Sequence, residues 1–117
     1  MQLYRLSGRK VCERVKQKGF LWKGKHFQAR MLRGLSRTMP ESSPAGLYIG
    51  VLTSTKLHKS AVKRNRMRRR CREALRLAVL SKEQMPAVQL LLLPRSSSLS
   101  APFDELVVDA GLLIASL

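Results

Sequence analysis

The sequence lacks the features of a secreted or membrane protein. It holds only two cysteines, Cys12 and Cys71, and no segment resembles a signal peptide, so a disulfide framework is not expected. No apolar run reaches the roughly 18 residues that a membrane helix requires. With His26 and His58 the cysteines make four candidate metal ligands, but their spacing fits no zinc motif, so we expect packed or surface roles for them and no metal site. We predict a cytoplasmic protein without membrane contact, forming one domain over residues 1–117.

Acidic residues are also scarce. Seven Asp and Glu stand against 23 Lys and Arg, which gives a formal net charge of +16. Ten of the basic residues lie in residues 1–33 and nine in residues 59–76, whereas the sequence after Leu77 has two basic and four acidic residues. Like charge at this density repels itself in a compact monomer and attracts a polyanion. The two basic blocks predict a molecule with one charged side and one neutral side.

The first half of the chain has the pattern of a helix followed by strands. Ser7 is a suitable helix N-cap and Gly19 a suitable helix end. The apolar stripe between them is thin and consists of Val11, Cys12 and Val15. Residues 20–32 then alternate as an extended segment. The side chains on one side are Phe27, Ala29 and Met31, and those on the other are Gln28, Arg30 and Leu32. A further strand is possible near Leu35, before a loop at residues 37–46 that is rich in Pro, Ser and Gly.

The second half predicts a strand, a helix, a strand and a helix. Residues 46–55 are rich in β-branched and aromatic residues, and a helix spans about residues 60–80. Residues 87–94 form a short strand that is too uniformly apolar to lie at an edge. The last helix follows Ser100 as its cap, with acids near its start. One of its faces is apolar and carries Leu106, Val107, Ala110, Leu113, Ile114 and Leu117. The order indicates an α/β sandwich whose sheet is covered mainly by helices.

The helix at residues 60–80 has two different sides. Its apolar arc consists of Met67, Cys71, Ala74, Leu75 and Ala78. The opposite arc carries Asn65, Arg66, Arg69, Arg72 and Arg76, with Lys63, Arg68 and Arg70 on the flanks. A disordered basic tail or a simple nuclear address has no need of such sorting, so an ordered surface is favoured.

The basic arc has two interpretations: a solvated helix face, or a binding site for a polyanion. Solvated faces normally mix Lys with Glu, but Glu73 is the only acid here. Arg can hold phosphate oxygens with two parallel hydrogen bonds, which favours the binding site. A face of Arg with one Asn suits phosphates and shape more than base edges, so RNA is favoured over DNA. A structural RNA-binding protein and a DNA-binding protein remain alternatives.

The stretch "AVKRNRMRRRCREALR" resembles the signature of the bacterial ribonuclease P protein subunit. The residues that match that family in order are Ala61, Val62, Arg64, Asn65, Arg66, Arg68, Arg69, Arg72 and Glu73. Length, element order and Gly19 agree with the family over most of the chain. The resemblance implies an α-β-β-β-α-β-α sandwich with a central sheet and a left-handed crossover.

The same resemblance implies a function. In the family the RNA subunit performs the metal-dependent hydrolysis that removes the 5′ leader of precursor tRNA, so Mg²⁺ is expected to be held mainly by that RNA. The protein, expected to be a monomer with no catalytic residue, binds ribonuclease P RNA through its basic helix. The implied RNA contacts are Lys63, Arg64, Asn65, Arg66, Arg68, Arg69, Arg72 and Arg76. The implied cleft for the leader contains Cys12, Lys16, Phe27, Arg30 and Lys56.

This sequence departs from the family in two places. Cys12 and Lys16 stand where the family commonly has two aromatic residues that line the leader cleft, and the family's Ser-Lys-Lys-x-Gly becomes residues 55–59, Thr-Lys-Leu-His-Lys. Phe20 and Trp22 are expected to pack where the first helix meets the strands, with stacking on RNA bases as the alternative. His58 is expected to be a turn residue or to lie near phosphate, not to act as a catalytic base.

Overall fold

The computed structural model describes residues 3–6, 8–35, 44–80, 82 and 86–117. Within these ranges the strands are β1 (Leu3–Arg5), β2 (Phe20–Lys23), β3 (Phe27–Arg33), β4 (Leu47–Val51) and β5 (Val88–Pro94). The helices are α1 (Arg9–Lys18), α2 (Ala61–Val79) and α3 (Phe103–Ala115), and a short 3₁₀ helix covers Ser96–Leu99. The predicted α-β-β-β-α-β-α order is confirmed, and β1 is a further strand that the sequence pattern did not reveal.

The strands form one mixed sheet in the order β1-β4-β5-β3-β2. Strands β1 and β4 are parallel, as are β4 and β5, while β3 is antiparallel to both β5 and β2. The pairing of β3 with β5 runs from Phe27 opposite Pro94 to Arg33 opposite Val88. The apolar strand β5 lies in the middle of the sheet, as its composition predicts. Helix α2 connects β4 to its parallel neighbour β5, and the left-handed sense of this crossover stays a prediction.

One face of the sheet packs against α2 and α3. The predicted apolar arc of α2 is buried at Met67, Cys71, Ala74 and Leu75, and Ala78 is half-buried. The apolar face of α3 is confirmed as well. Its buried members are Leu106, Ala110, Leu113 and Ile114, and Val107 and Leu117 pack against them as partly buried residues. Each fully buried large side chain contributes about 1.5–3 kcal/mol, so this layer holds α2 in place.

The other face of the sheet packs against α1. Val15 is fully buried there beside Leu6, Tyr48 and Leu91, and the predicted stripe on α1 is completed by the partly buried Val11 and Cys12. The rings of Tyr4 and Tyr48 stack with 5.0 Å between their centroids, which joins β1 to β4 on this face. The sheet is therefore covered on both faces, and the outward side of α1 is left to solvent.

Gly19 ends α1 as predicted, and the reason is close packing. Its amide donates a hydrogen bond to the carbonyl of Val15 (2.8 Å). A Cβ atom at this position would lie 2.5 Å from the Val15 carbonyl oxygen and 2.9 Å from that of Met31. The end of α1 thus approaches β3 so closely that only glycine fits.

The extended segment predicted at residues 20–32 is a hairpin. The alternation along β3 is confirmed, with Phe27 and Ala29 buried in the layer below α2 and α3. Trp22 on β2 is half-buried, with its ring centroid 5.8 Å from that of Phe27. It therefore packs within the hairpin on the α2 and α3 face of the sheet, and not where α1 meets the strands as predicted. Phe20 does not share that role, because 75% of its surface is exposed.

Some predicted boundaries shift or lie outside the described residues. The possible strand near Leu35 is not formed at residues 34 and 35, because β3 ends at Arg33. Ser7 and most of the predicted loop, residues 37–43, are outside the described ranges. Ser100 does not cap α3, since that helix begins at Phe103 after Pro102 and has no side-chain cap.

A buried polar cluster ties the β2–β3 turn to α3. The His26 amide donates to Asp109 Oδ2 (2.7 Å), and both residues are 5% exposed. His26 Nε2 lies 3.0 Å from Glu105 Oε1, and Nδ1 lies 2.9 Å from Ser97 Oγ. The hydrogen bond from Lys25, together with that from His26, lowers the pKa of Glu105 below its ordinary value. His26 therefore has the packed role that was expected of it.

The first prediction concerns this cluster. Asp109→Ala removes the acceptor of a buried backbone amide, and an unsatisfied buried donor costs about 1–3 kcal/mol. We expect the free energy of unfolding, measured with urea, to fall by that amount. Asp104→Ala is the matched control, because Asp104 is exposed in the first turn of the same helix. A loss no larger than that of the control would show that the His26 contact is dispensable.

The second prediction separates the two thiols. Burial raises the pKa of Cys71 to about 11, whereas Cys12 is partly exposed on α1. Because only a thiolate attacks a disulfide reagent, Cys71 should stay unreactive at pH 8 in the native protein. We expect one fast thiol per chain with Ellman's reagent and two after unfolding. Loss of the fast reaction in Cys12→Ser assigns it, and two fast native thiols would contradict the burial of Cys71.

Candidate nucleic-acid interface

The start of α2 is fixed by short-range hydrogen bonds. Ser60 caps the helix, and its hydroxyl accepts a hydrogen bond from the amide of Lys63 (3.4 Å). The Ser60 amide donates to His58 Nδ1 (3.0 Å), so His58 is a turn residue as expected. Arg64 Nη1 donates to the carbonyls of His58 (2.7 Å) and Lys59 (3.0 Å). Arg64 therefore holds the turn that leads into the helix.

Asn65 and Arg68 support each other on the next turn. Arg68 Nη2 donates to Asn65 Oδ1, and Nη1 donates to Thr53 Oγ1 (2.7 Å), beyond the end of β4. The guanidinium of Arg68 is thus positioned between helix and sheet, and its remaining N–H groups can donate hydrogen bonds to a ligand. Of the pair, Asn65 is exposed and Arg68 half-buried.

Arg70 faces the protein and not the solvent. It donates to the carbonyls of Ser98 (2.8 Å), Leu99 (2.6 Å) and Ala101, at the end of the 3₁₀ helix. These carbonyls have no helical partners of their own, so a cation is a suitable cap for them. The basic block of α2 is therefore not all available to a ligand.

Arg76 is largely neutralised by Glu73. Its Nε lies 3.1 and 3.0 Å from the two carboxylate oxygens, and its Nη2 lies 2.6 Å from Oε1. The hydrogen bond from Arg76 lowers the pKa of Glu73, and the same bond raises the pKa of Arg76. Among the proposed contacts on α2, Arg76 is the weakest candidate.

The remaining basic side chains of α2 form an exposed row. Lys63, Arg66, Arg69 and Arg72 are exposed, and their side chains make no hydrogen bond to any residue that the structure describes. No acid lies in the first turn of α2, where the helix dipole is positive. Like charges at this spacing repel, so a polyanion that neutralises them binds favourably. We call Lys63, Arg66, Arg69 and Arg72 the arginine row.

The arginine row borders a cleft of about 460 Å³ at the β1 edge of the sheet. Its apolar floor includes Leu6, Gly50, Leu52 and Leu91, and Cys12 of α1 lines it as well. Its basic groups are Arg68, Arg69 and Arg72 from α2 and Arg5 from β1. A chain of phosphates with the flat faces of bases beside it suits such a lining. Arg5 was missed from the sequence because β1 has only three residues and no clear alternation.

The five predicted cleft residues do not all meet. Cys12 lines the cleft, while Lys16 and Lys56 are exposed on α1 and in the turn after β4. Arg30 is half-buried and donates to the Gly19 carbonyl (3.4 Å). Phe27 is a correction, because it is fully buried on the face that packs against α2 and α3. The alternation of β3 already places Phe27 on the side opposite Arg30.

Two further findings bear on the class of site. The described helices include none that is long and apolar enough to cross a membrane. Across the described ranges, no three His, Cys, Asp or Glu side chains come together as a set that would hold a metal ion.

Comparisons with known proteins identify a family. A family model described as Ribonuclease P matches residues 1–116. A protein from Synechococcus sp. (strain RCC307) named "Ribonuclease P protein component" is 34% identical over 116 residues, which cover 97% of this chain and 91% of that protein. A protein of the same name from Rickettsia bellii (strain RML369-C) is 26% identical over 101 residues, covering 86% and 82%.

Solved structures share the fold. The RNase P protein from Thermotoga maritima superimposes with a TM-score of 0.73 at 17% identity, covering 97% of this chain and 96% of that one. That from Staphylococcus aureus gives a TM-score of 0.70 at 20% identity, with the same coverage of both chains. At these identities the structural matches establish the fold.

The third prediction tests the arginine row. The Arg66→Ala, Arg69→Ala double variant should keep its fold, because both side chains are exposed and Ala favours helix. Its affinity for a structured RNA should fall, and the slope of log K against log salt should decrease by about 2, or about one per phosphate contact. The control is Arg9→Ala, Lys10→Ala, which removes the same charge from exposed positions of α1. An unchanged slope would mean that Arg66 and Arg69 do not contact phosphate.

Proposed function

This chain belongs to the family of bacterial ribonuclease P protein components, and from that membership we propose that it is the accessory subunit of the enzyme. It binds the ribonuclease P RNA and the 5′ leader of precursor tRNA, while the RNA carries out the hydrolysis. The observation that carries this proposal is the arginine row, an ordered set of exposed cations on a helix whose other side is buried. The alternative of a ribosomal or assembly protein is not favoured, because the family match covers the whole described fold.

The RNA contacts divide into direct and supporting residues. Lys63, Arg66, Arg69 and Arg72 are the direct phosphate contacts, since nothing in the described part of the protein occupies them. Arg64, Asn65 and Arg68 support the surface by fixing the turn and the helix, and each retains donors that an RNA can use. Arg76 contributes only to the extent that RNA displaces it from Glu73.

The leader occupies the cleft beside the arginine row. A single strand would lay its phosphates against Arg5, Arg68, Arg69 and Arg72 and its apolar groups on the floor. Cys12 gives this cleft a smaller wall than an aromatic residue would, so binding relies more on charge than on stacking. Lys16, Arg30 and Lys56 do not line this cleft, and a contact of the leader with them stays a prediction.

The protein does not supply the catalytic group in this proposal. Its buried His26 is committed to α3 and the 3₁₀ helix through three hydrogen bonds. The acids nearest to it, Glu105 and Asp109, are occupied by Lys25 and by His26 itself. We therefore assign no magnesium site to these residues and propose that Mg²⁺ is held by the RNA. The subunit works in the cytoplasm. It is a monomer, because its net charge opposes self-association.

The fourth prediction is a rise in cleavage at low magnesium. The cationic surface neutralises phosphates that Mg²⁺ otherwise screens, so the protein should matter most when Mg²⁺ is scarce. We expect ribonuclease P RNA with this protein to cleave labelled precursor tRNA at a Mg²⁺ concentration where the RNA alone is inactive. The gain should shrink when the leader is cut to one nucleotide.

The controls separate the parts of the proposal. At high Mg²⁺ the RNA alone should cleave, and the Arg66→Ala, Arg69→Ala variant should need more protein for the same effect. No gain from the protein at any Mg²⁺ concentration would refute the accessory role. Cleavage by the protein without RNA would instead refute catalysis by the RNA.

A further inference from the structure

Phe20 is an exposed aromatic residue at the edge of the sheet far from the arginine row. Strand β2 pairs only with β3 and ends the strand order, whereas β1 ends it at the cleft. With four strand spacings of about 4.8 Å between these edges, the two surfaces lie roughly 19 Å apart. Phe20 is 75% exposed, although a large aromatic side chain gains most from burial. Its exposure has no explanation in the packing of the sheet.

Phe20 borders a groove of about 530 Å³ on the α3 side of the sheet. The residues that matter in its lining are Phe20, Trp22, Met31, Arg33, Val88 and Leu117. The walls are apolar and aromatic, and Arg33 adds one exposed cation at the end of β3. The volume falls within the range of small-ligand sites, which leaves room for a flat ring beside Phe20.

The charge around this groove selects its occupant. Residues 18–33 contain five Lys and Arg and no acid. Lys25 and Arg30 have partners within the protein. Arg33 is exposed and lines the groove, whereas Lys18 and Lys23 are exposed outside its lining. A second copy of the chain would bring the same cations against each other, which its net charge of +16 disfavours. An apolar peptide would leave the cations unused. An anionic chain with flat bases uses both features.

The geometry points to a second RNA-contact site, in which an unpaired base stacks on Phe20 and an adjoining phosphate meets Arg33. Base–aromatic stacking tolerates any sequence, because every base has a π face. The site prefers single-stranded RNA, since a base inside a duplex is already stacked and cannot reach the ring. It goes beyond the proposed function, which needs only the arginine row and its cleft.

The test uses the protein's single tryptophan as the reporter. Trp22 is the only Trp in the chain and it lines the groove, so a stacked base should quench its fluorescence. We expect a decamer of oligoadenylate to quench Trp22 in a saturable manner, and a duplex of the same length to quench it much less. Phe20→Leu should weaken binding of the decamer by about 5- to 150-fold, the range of one base–aromatic contact.

Two further variants serve as controls for Phe20→Leu. Phe20→Tyr keeps the ring and should bind within about twofold of the original protein, which a merely apolar role would not require. Leu112→Ala, which changes an exposed apolar residue on α3, should leave binding of the decamer unchanged. Far-ultraviolet circular dichroism and the melting temperature should be unaltered in all of them, because Phe20 and Leu112 contribute little buried surface.

Two results would contradict the second RNA-contact site. Equal affinity of Phe20→Leu and the original protein for the decamer would overturn this site, as would a concentration-dependent dimer that Phe20→Leu dissociates. The Arg66→Ala, Arg69→Ala variant should retain the quenching of Trp22 by the decamer at saturation. If that variant loses binding to structured RNA while Phe20→Leu has no effect on the decamer, the proposed function stands and the second site fails.

Discussion

The exposed basic surface of α2 depends on the buried apolar side of the same helix, which we call the apolar seam. Like charges spaced three and four residues apart each cost an isolated helix a few tenths of a kcal/mol. Burial of Met67, Leu75 and Val79 contributes about 1.5–3 kcal/mol for each side chain, so a few buried residues outweigh many repelling pairs. The helix keeps its charge concentrated because α3 and β5 hold it from below. A free peptide of the same sequence has no such support, and its cations would spread apart.

The seam also divides the arginines into two kinds. Those near the buried side bind the protein itself: Arg70 caps the 3₁₀ helix, Arg64 fixes the turn before α2, and Arg68 reaches Thr53. These contacts use the planar, many-donor guanidinium as a structural clamp. The arginine row on the far side stays solvated. The basic residues of α2 therefore serve both folding and RNA binding. Which of the two a residue serves depends on the side of the helix on which it lies.

The sheet distributes these functions in space. Strand β5 is buried on both faces, so α1 must cover one side and α2 with α3 the other. This leaves two edges, and each takes a different character. The β1 edge adjoins α2 and has several arginines around a cleft, while the β2 edge leaves Phe20 exposed to solvent. The buried cluster at His26 braces the β2–β3 turn against α3, which keeps the second edge in place.

The sequence by itself determined the two sides of α2, the buried strand β5 and the preference for a polyanion, because each follows from local periodicity or charge. It also determined the order of the main elements, and the signature around Asn65 indicated the family. Only the tertiary structure decided which cations are free, because Arg70 and Arg68 meet partners on other elements of the chain. It likewise moved Phe27 out of the cleft, brought Arg5 into it and exposed Phe20. These outcomes depend on which strands become neighbours, and contacts between residues distant in sequence leave no local pattern to read.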